Sequence, residues 1–335
     1  MKILVVRIGR AGDMVMITPA LAALTQSYPN AEITLLTSLD GKRVLRDFHP
    51  QIKNVMLLDR RKFFPFLQRR KIKNTIIQAD FQHIFCFETK PSFVKLFHGS
   101  TAHQHILQNI ENSEINFAER CLKIVDSTFD VTQYPVFLPV PEDAKQRAKD
   151  ILHRAGIPDD TFLIGIHPSY SGLGKKFGRN KKSLPHRNWP ISHWGKLCKL
   201  ISDDAKKNGI KLHIIMDLMP EERELGLEII RESQNTVKLL TPAPDFERYK
   251  ATLARLDLLI VPNTGPMHIG AAVGTNIVAL FSIHNPKDCA PYTDTKKLAI
   301  LRAEDSQHPE LGLAAISAED VFQASKIFLP TKNLA

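Results

Sequence analysis

The segment 263–268, NTGPMH, contains the residue types that most directly indicate chemistry in this chain. It follows an apolar, strand-like run, and Gly265 and a proline stand where the chain must turn into a helix. The first turn of a helix has unpaired N–H donors and about half a positive charge, so Thr264 and His268 could join it in binding an anion. The pattern favours a nucleotide-diphosphate site. A turn that only caps the helix, beside a structural histidine, is the alternative that the motif leaves open.

Asp13 is a second candidate for chemistry. It ends the loop GRAGD, in which the glycines at 9 and 12 bracket a turn after the first apolar run. As a helix cap, Asp13 would bind free backbone amides and contribute about 1 kcal/mol. As a general base, the same ionised carboxylate could accept a proton from a sugar hydroxyl. The loop contains neither the GxGxxG nor the Walker A pattern, so dinucleotide and P-loop sites are not indicated.

A long, basic and glycine-containing loop at 169–186 precedes Arg187 and the dipeptide Trp189-Pro190. Such a loop could close over an anionic ligand as a lid. Alternatively, the tryptophan anchors the following helix and the lysines are simply solvated. Arg187 is the basic residue best placed to reach a ligand.

The segment 60–73 combines basic and aromatic residues. It contains seven Lys or Arg side chains interleaved with phenylalanines. Such a segment suits an anionic membrane surface, where each basic residue contributes about 1 kcal/mol. A solvated helix whose phenylalanines face the core explains the pattern equally well.

Strand and helix patterns alternate along the chain, which predicts an α/β protein. In the first part, strands are expected in KILVVRI, AEITLLT, Asn54–Leu58 and His83–Phe87, with a helix at Met14–Tyr28. A proline-containing stretch, 132–141, is the predicted linker. In the second part, the expected elements are helices at 142–155, 191–208, 221–233, 245–254 and 317–328, and strands at 161–167, 211–216 and on both sides of the NTGPMH motif.

Composition limits the possible functions. A chain of 335 residues, 43% of them hydrophobic, can form two cores. The four cysteines have no metal-ligand or redox spacing, which indicates a reducing, cytosolic setting. The net charge of +10 implies an acidic partner, and no nucleic-acid-binding motif accompanies it. The stretch 258–286 lacks Asp, Glu, Lys and Arg, but its prolines, glycines and asparagines favour a buried strand–helix–strand over a membrane span.

Three segments together resemble glycosyltransferase family 9, the ADP-heptose:lipopolysaccharide heptosyltransferases. These are GDMVMITPAL near the N-terminus, RNWP at mid-chain and NTGPMHIGAAVG towards the C-terminus. The family has Gly-Asp before a helix with Thr-Pro-Ala-Leu, a basic residue before Trp-Pro, and Asp-(Ser/Thr)-Gly-x-x-His. The order and spacing of the three segments make the resemblance specific and extend it over most of the chain.

The resemblance implies a GT-B fold, in which two Rossmann-like, doubly wound α/β domains face a central cleft. Residues 1–150 would bind the acceptor and residues 151–315 the nucleotide sugar. The C-terminal helix and tail, 316–335, would pack back on the N-terminal domain.

The implied reaction is an inverting, metal-independent transfer of heptose from ADP-heptose to Kdo or heptose on the lipid A core. Asp13 would be the general base, and Arg187 would neutralise the diphosphate leaving group. No cofactor and no metal are expected. The implied donor contacts are Asn263, Thr264, Gly265, Met267, His268, Glu221 and Met216.

The implied acceptor is a phosphorylated lipid at the cytoplasmic face of the inner membrane, with which the protein would associate peripherally. The expected contacts with acceptor or membrane are Arg60, Arg61, Lys62, Arg69 and Arg70. Nucleic acid is not an expected partner.

Two features depart from the family pattern. Asn263 stands where the family usually has Asp, and the loop 169–186 is longer and more basic than is common. Two other functions are compatible with the residues: a GT-B transferase that uses another nucleotide sugar such as UDP-GlcNAc, and a non-catalytic envelope-assembly protein of the same fold.

Overall fold

The strands form two parallel sheets. The computed structural model describes residues 1–59, 65–110, 113–128, 133–170 and 187–330. In these residues one sheet has five strands and the other has six, and all the paired strands run parallel. Parallel neighbours need long connections between them, which here contain helices. The predicted α/β class is therefore confirmed.

The first sheet has its earliest strand at the centre. Its strands are β1 (Lys2–Arg7), β2 (Glu32–Thr37), β3 (Ile52–Leu57), β4 (His83–Cys86) and β5 (His103–Ile106). Their spatial order is β3-β2-β1-β4-β5. Residues 3–6 of β1 are at most 1% exposed, as expected for a strand that is buried on both faces.

The helices that accompany the first sheet differ from the sequence prediction at one place. They are α1 (Ala11–Val15), α2 (Thr18–Ser27), α3 (Leu39–Val44), α4 (Pro65–Gln78), α5 (Pro91–Val94) and α6 (Phe117–Val125). The single helix expected at Met14–Tyr28 is thus divided into α1 and α2. Pro19 causes the break, because it has no N–H and its ring disfavours a continuous preceding turn. The Thr18 hydroxyl donates to the Val15 carbonyl at 2.7 Å and fixes the corner.

The second sheet has the order β11-β10-β9-β6-β7-β8. Its strands are β6 (Phe162–Ile166), β7 (Leu212–Asp217), β8 (Val237–Leu240), β9 (Leu258–Pro262), β10 (Asn276–Phe281) and β11 (Leu298–Arg302). The accompanying helices are α7 (Glu142–Arg154), α8 (Ile191–Asn208), α9 (Arg223–Glu232), α10 (Phe246–Arg255), α11 (Gly265–Ala272) and α13 (Ala318–Ser325). A further short helix, α12 (Pro286–Cys289), follows β10 along the chain. The order of the strands changes direction between β6 and β9.

The uncharged stretch that begins at Leu258 is a buried strand–helix–strand, as predicted. It forms β9, α11 and β10, and the two strands pair with each other in parallel. In the described part of the chain, no helix combines the length and the apolar character that a membrane span requires. Burial within a parallel sheet therefore accounts for the hydrophobicity of this stretch.

The chain divides into two units by its internal contacts. Met1–Pro139 and Lys287–Tyr292 form the first, and Val140–Pro286 with the chain from Thr293 forms the second. The predicted boundary at residue 150 falls inside α7. That helix belongs to the second unit because Ala144 and Ala148 pack against Ala251 of α10.

The C-terminal helix packs on the second unit, so the prediction that it returns to the N-terminal domain is wrong. Val321 and Phe322 of α13 are 0% and 8% exposed and belong to the hydrophobic core of the second sheet. The indole of Trp189 donates to the Ile316 carbonyl at 2.8 Å, just before the helix begins. Burial of this apolar face against α8 explains the placement.

The segment Lys287–Tyr292 belongs to the first unit although it lies far along the chain. Arg120 of α6 forms an ion pair with Asp288 at 2.5 Å. The backbone amide of Val136 donates to the Tyr292 carbonyl at 2.8 Å. The sequence contains no local pattern that predicts this association.

Gly195, in the middle of α8, is a position where a methyl group does not fit. A Cβ there would lie 2.4 Å from the Cβ of Glu232 and 2.8 Å from its backbone carbon. Alanine has a higher helix propensity than glycine. The Gly195→Ala substitution should nevertheless destabilise the fold by about 1–3 kcal/mol, because the backbone at Glu232 must move to make room for the methyl group. Thermal unfolding measures this, with Ser192→Ala on the exposed face of α8 as the control. An unchanged or higher melting temperature for Gly195→Ala would contradict the close packing of α8 on the end of α9.

Candidate functional site

The loop after β1 presents the Asp13 carboxylate to solvent. Asp13 is the third residue of α1, and Arg10 is the residue that caps that helix. The Oδ2 atom of Asp13 accepts a hydrogen bond from the Arg10 backbone N–H at 2.8 Å, and Oδ1 accepts one from Arg7 at 3.0 Å. The side chain is nevertheless 44% exposed. Asp13 is thus not the N-cap that the sequence suggested; as the third helical residue it binds the backbone N–H of the N-cap Arg10, and its carboxylate remains partly exposed.

Gly9 allows the carboxylate to occupy this position. A Cβ on Gly9 would lie 2.3 Å from the Cβ of Asp13 and 2.8 Å from Oδ2. The Gly9 carbonyl accepts a hydrogen bond from the Ser38 hydroxyl at 2.6 Å, which joins the loop to the residue after β2. Gly9 of the GRAGD loop is thus required, because a side chain at this position would overlap the Asp13 side chain.

Arg7 and Glu88 are charged residues of this site that the sequence did not reveal. The Arg7 side chain is 13% exposed and the Glu88 side chain 6%. The Arg7 guanidinium donates to the Phe87 carbonyl at 3.0 Å and lies 3.7 Å from Glu88 Oε1. The two residues are 81 positions apart, and only the parallel pairing of β1 with β4 brings them together.

The NTGPMH motif lies at the carboxyl end of β9 and begins α11. Thr264 caps α11 with an extended backbone, and its hydroxyl donates back to the Pro262 carbonyl at 3.2 Å. The side chain thus makes no capping bond to the helix amides. Pro266 has no N–H, and the Met267 N–H donates to the Thr264 carbonyl at 3.1 Å, so the Gly265 N–H is the backbone donor at this helix start that can bind an anion.

His268 and Met267 differ in what they can offer to a ligand. His268 is 8% exposed, so its imidazole lies just below the surface of the second unit. Met267 is fully buried and packs α11 on the sheet. Met216, at the end of β7, is also fully buried in the core. The two methionine side chains therefore support the predicted donor site from beneath and offer no surface to it.

The residues after β7 place two glutamates differently. Glu221 is exposed, whereas Glu222 is half-buried. Glu222 accepts hydrogen bonds from the Ser169 hydroxyl and, at 3.1 Å, from the Met219 backbone amide. These bonds tie the end of β7 to the residues that follow β6. Of the two glutamates, Glu221 is the one with a freely accessible side chain.

A histidine–tyrosine pair was not foreseen. The Nδ1 atom of His167 lies 3.4 Å from the Tyr249 hydroxyl oxygen, and the His167 amide donates to the Ile260 carbonyl at 3.1 Å. Burial lowers the pKa of His167 to about 4. Burial also raises the pKa of Tyr249 well above its usual value, and the nearby carboxylates of Asp217 and Glu222 add to this shift. Both side chains are neutral hydrogen-bonding groups at physiological pH.

Asp217 and Arg248 form a buried ion pair beside these two residues. Their side chains are 7% and 5% exposed, and the Arg248 guanidinium donates to the Asp217 carboxylate. Burial raises the pKa of Asp217, while the guanidinium opposes the shift. The opposite charges of Asp217 and Arg248 compensate each other. The partial positive charge at the N-terminus of α11 therefore remains at this edge of the sheet.

Arg187 begins the chain segment that leads into α8. It is half-buried and lies two residues before the fully buried Trp189. The two tryptophans Trp189 and Trp194 pack edge to face with ring centroids 4.6 Å apart, which confirms the predicted anchor. Residues 171–186, which make up most of the predicted lid loop, lie outside the described residues.

The basic, aromatic segment is described only from residue 65 onward. Arg60, Arg61 and Lys62 lie outside the described residues. Arg69 on α4 donates to the Ser92 carbonyl at 3.0 Å, whereas Arg70 is exposed. Phe66 and Leu67, at the start of α4, are 63% and 53% exposed. Phe66 thus faces outward, contrary to the interpretation in which the phenylalanines of this segment face the core.

The described residues contain no group of three or more His, Cys, Asp or Glu side chains arranged to hold a metal ion. The four cysteines are free thiols, three of them buried. Burial raises the pKa of Cys86 and Cys121 to about 12, so these thiols stay protonated. Cysteine chemistry is therefore not indicated at either position.

Comparison with known proteins extends these observations. Residues 179–313 match the model of glycosyltransferase family 9 (heptosyltransferase). Lipooligosaccharide heptosyltransferase 2 of Haemophilus ducreyi is 24% identical over 329 residues, which cover 91% of this chain and 89% of that protein. Lipopolysaccharide core heptosyltransferase OpsX of Haemophilus influenzae is 26% identical over 127 residues, but the match covers only 35% of it and 37% of this chain.

Solved structures share the fold over nearly the whole chain. A glycosyltransferase family 9 structure from Veillonella parvula aligns with a TM-score of 0.79 at 18% identity and covers 98% of this chain and 96% of that one. The Escherichia coli heptosyltransferase WaaC with ADP aligns with a TM-score of 0.69 at 17% identity and covers 98% and 100%. The two parallel α/β sheets are those of a GT-B fold. Residues 179–313 of this chain are thus similar in sequence to glycosyltransferase family 9, and the chain as a whole shares its fold with solved structures of heptosyltransferases.

Proposed function

We propose that this protein is a heptosyltransferase of lipopolysaccharide core biosynthesis. It transfers heptose from ADP-heptose to Kdo or heptose on the lipid A core, with inversion and without a metal ion. The observation on which the proposal depends is the exposed Asp13 carboxylate, held by two donors at the carboxyl end of β1. The family match and the heptosyltransferase names of the relatives support the sugar that we assign.

In the proposed reaction, Asp13 accepts the proton of an acceptor hydroxyl. The hydroxyl oxygen attacks the anomeric carbon of the donor and forms the new glycosidic bond, while the bond to the diphosphate oxygen breaks. The electron pair of that bond leaves with ADP. A carboxylate with free lone pairs and fixed orientation suits the proton-accepting role. Attack on the face opposite the leaving group inverts the anomeric centre.

The leaving diphosphate is bound by groups of the second unit. The N-terminus of α11 provides the Gly265 N–H and a partial positive charge, and His268 lies in the first turn of the same helix. Arg187 adds a full positive charge. In this role, preorganised donors replace the divalent ion that other transferases use. Glu221, with its exposed side chain, is the candidate for a contact with the donor ribose.

Asn263 adds an amide where family members usually have a carboxylate. Its backbone N–H donates to the Leu280 carbonyl at 2.9 Å, so its main chain is fixed by the sheet. An amide next to the diphosphate adds no negative charge. We propose that this substitution alters the affinity for the donor without changing the reaction.

Nucleotide titration tests the donor assignment. Calorimetry of the purified protein in EDTA should detect ADP binding and no comparable binding of UDP or GDP. His268→Leu should weaken ADP binding about tenfold, because a hydrogen bond to a charged group is lost. His308→Leu, a change at an exposed histidine, is the matched control and should leave the affinity unaltered. A preference for UDP or GDP would assign another nucleotide sugar, and a need for Mg²⁺ would contradict metal-independent transfer.

The role of Asp13 is tested by Asp13→Asn. Loss of a general base should reduce the transfer rate about 10²–10⁴-fold, while ADP affinity stays within about twofold of the wild type. Asp40→Asn, at an exposed aspartate that is paired with Arg43, is the control. Equal losses of ADP affinity and transfer would show that Asp13 acts only as a helix cap.

We also propose that α4 contacts an anionic membrane surface at the cytoplasmic face of the inner membrane. The exposed Phe66 and Leu67 lie next to exposed basic residues on this helix. Apolar side chains that insert between lipids and cations that bind head groups reinforce each other. The lipid-linked acceptor is held at the same surface.

Vesicle sedimentation measures this association. Arg70→Ala/Lys71→Ala should lower the fraction bound to phosphatidylglycerol vesicles, because about 1 kcal/mol is lost per cation. Lys206→Ala/Lys207→Ala removes two exposed lysines from α8, where no exposed aromatic side chain accompanies them, and serves as the matched control. If the two double substitutions lowered vesicle binding equally, binding would depend on net charge alone, and the proposal that α4 contacts the membrane would be wrong.

A further inference from the structure

Arg7 is the last residue of β1, and its guanidinium contacts the groups that surround the Asp13 loop. One terminal nitrogen, Nη2, donates to Asp13 Oδ1 at 3.0 Å. The other, Nη1, donates to the Phe87 carbonyl at 3.0 Å. The two arms of the planar fork thus connect the proposed base to the backbone that follows β4. A fork with both arms bound has one orientation, unlike a single charged amine.

Two further contacts hold the guanidinium in place. Its central carbon lies 4.5 Å from the centroid of the Phe117 ring, a cation–π arrangement. Glu88 Oε1 lies 3.7 Å from Nη1 and also accepts a hydrogen bond from the Ile8 backbone N–H at 2.7 Å. Glu88 is therefore bound both to the arginine and to the strand end that carries it. This arrangement leaves the guanidinium little freedom to rotate.

The Asp13 carboxylate has one fixed donor on each oxygen. Arg7 binds Oδ1, and the Arg10 backbone N–H binds Oδ2 at 2.8 Å. Each carboxylate oxygen can accept more than one hydrogen bond, so a lone pair on either remains for an incoming hydroxyl. Two donors from different chain segments fix the plane of the carboxylate, and an error of about 1 Å in the position of a reacting group can cost about 10²-fold in rate.

We propose that Arg7 is a positioning residue for sugar transfer. Its guanidinium holds the plane and the negative charge of the Asp13 carboxylate towards the acceptor hydroxyl, and Glu88 and Phe117 hold the guanidinium. The role rests on the proposed function of Asp13 as the general base. Arg7 itself contacts neither substrate in this assignment and acts through Asp13.

Steady-state kinetics of two substitutions at Arg7 test the proposal. Arg7→Met removes the charge and both arms of the fork, and kcat should fall about 10–100-fold while ADP affinity stays unchanged. The KM values for both substrates should stay within about twofold of the wild type, because Arg7 contacts neither substrate. Arg7→Lys keeps a charge but loses the fork, so kcat should fall about tenfold, again with KM unchanged.

Arg43→Met is the matched control. Arg43 also pairs with an aspartate of the first unit, Asp40, at 3.0 Å, but both side chains are about half exposed. Its removal should leave kcat, KM and ADP affinity at wild-type values. The same values in Arg7→Met would overturn the positioning role. If Arg7→Met does not fold, Arg7→Lys decides: full kcat in that protein would make Arg7 purely structural and overturn the proposal.

Failure of this proposal is distinguishable from failure of the proposed function. Unreduced transfer by Asp13→Asn would remove Asp13 as the base, and the role of Arg7 with it. Loss of transfer in Asp13→Asn together with wild-type kinetics in Arg7→Met would leave the base in place and overturn only the positioning role. The expected result is loss of transfer in Asp13→Asn together with a lowered kcat at unchanged KM in Arg7→Met.

Discussion

Parallel strand pairing is the constraint on which both candidate sites depend. In each sheet the strand order changes direction once, between β1 and β4 in the first and between β6 and β9 in the second. The connections leave these neighbouring strands in opposite directions, which opens a crevice at their carboxyl ends. Arg7 and Glu88 lie at the first of these points, and His167 and Thr264 lie at the second. The fold thus determines the positions at which reactive side chains can lie close together, whichever residue types occupy those positions.

The two points differ in their electrostatics. At the first, the half-buried Arg7 guanidinium lies between the buried Glu88 carboxylate and the exposed Asp13 carboxylate, so Asp13 is the negative group of the three that meets solvent. At the second, the ion pair of Asp217 with Arg248 is compensated, and His167 is kept neutral by burial. The NTGPMH motif contains no carboxylate, so it adds no negative charge beside the positive end of α11. One point suits removal of a proton, and the other suits negative charge that develops on a leaving group.

The sequence predicted the central strands and missed peripheral ones. β5, β8 and β11 were not expected, and each lies at an edge of its sheet. β5 has the sequence HQHI and three exposed residues, so it lacks the continuous apolar run that identifies a strand buried on both faces. β11, LAILR, has a short apolar run, although none of its residues is fully buried, and the sequence analysis did not identify it as a strand.

The candidate sites were predictable to the extent that their residues are contiguous. Asp13 and the NTGPMH motif were found because each lies in a short segment with its own turn chemistry. Arg7 with Glu88 and Trp189 with Ile316 are joined only in the folded chain, across 81 and 127 positions. Met216 and Met267 were expected to contact the donor, yet they face the core, because a motif does not reveal which side of its element meets solvent.

The segment Lys287–Tyr292 limits how this chain can be divided or recombined. The polypeptide passes from one unit to the other at residues 139–140, 286–287 and 292–293, so neither unit is a continuous piece of chain. A fragment that ended at Pro139 would retain Arg120 without Asp288 and Val136 without its partner carbonyl. An exchange of halves between related enzymes at a single crossover would likewise combine the segment of one parent with the α6 helix of the other. Compatibility of these few contacts is therefore a condition on every viable chimera.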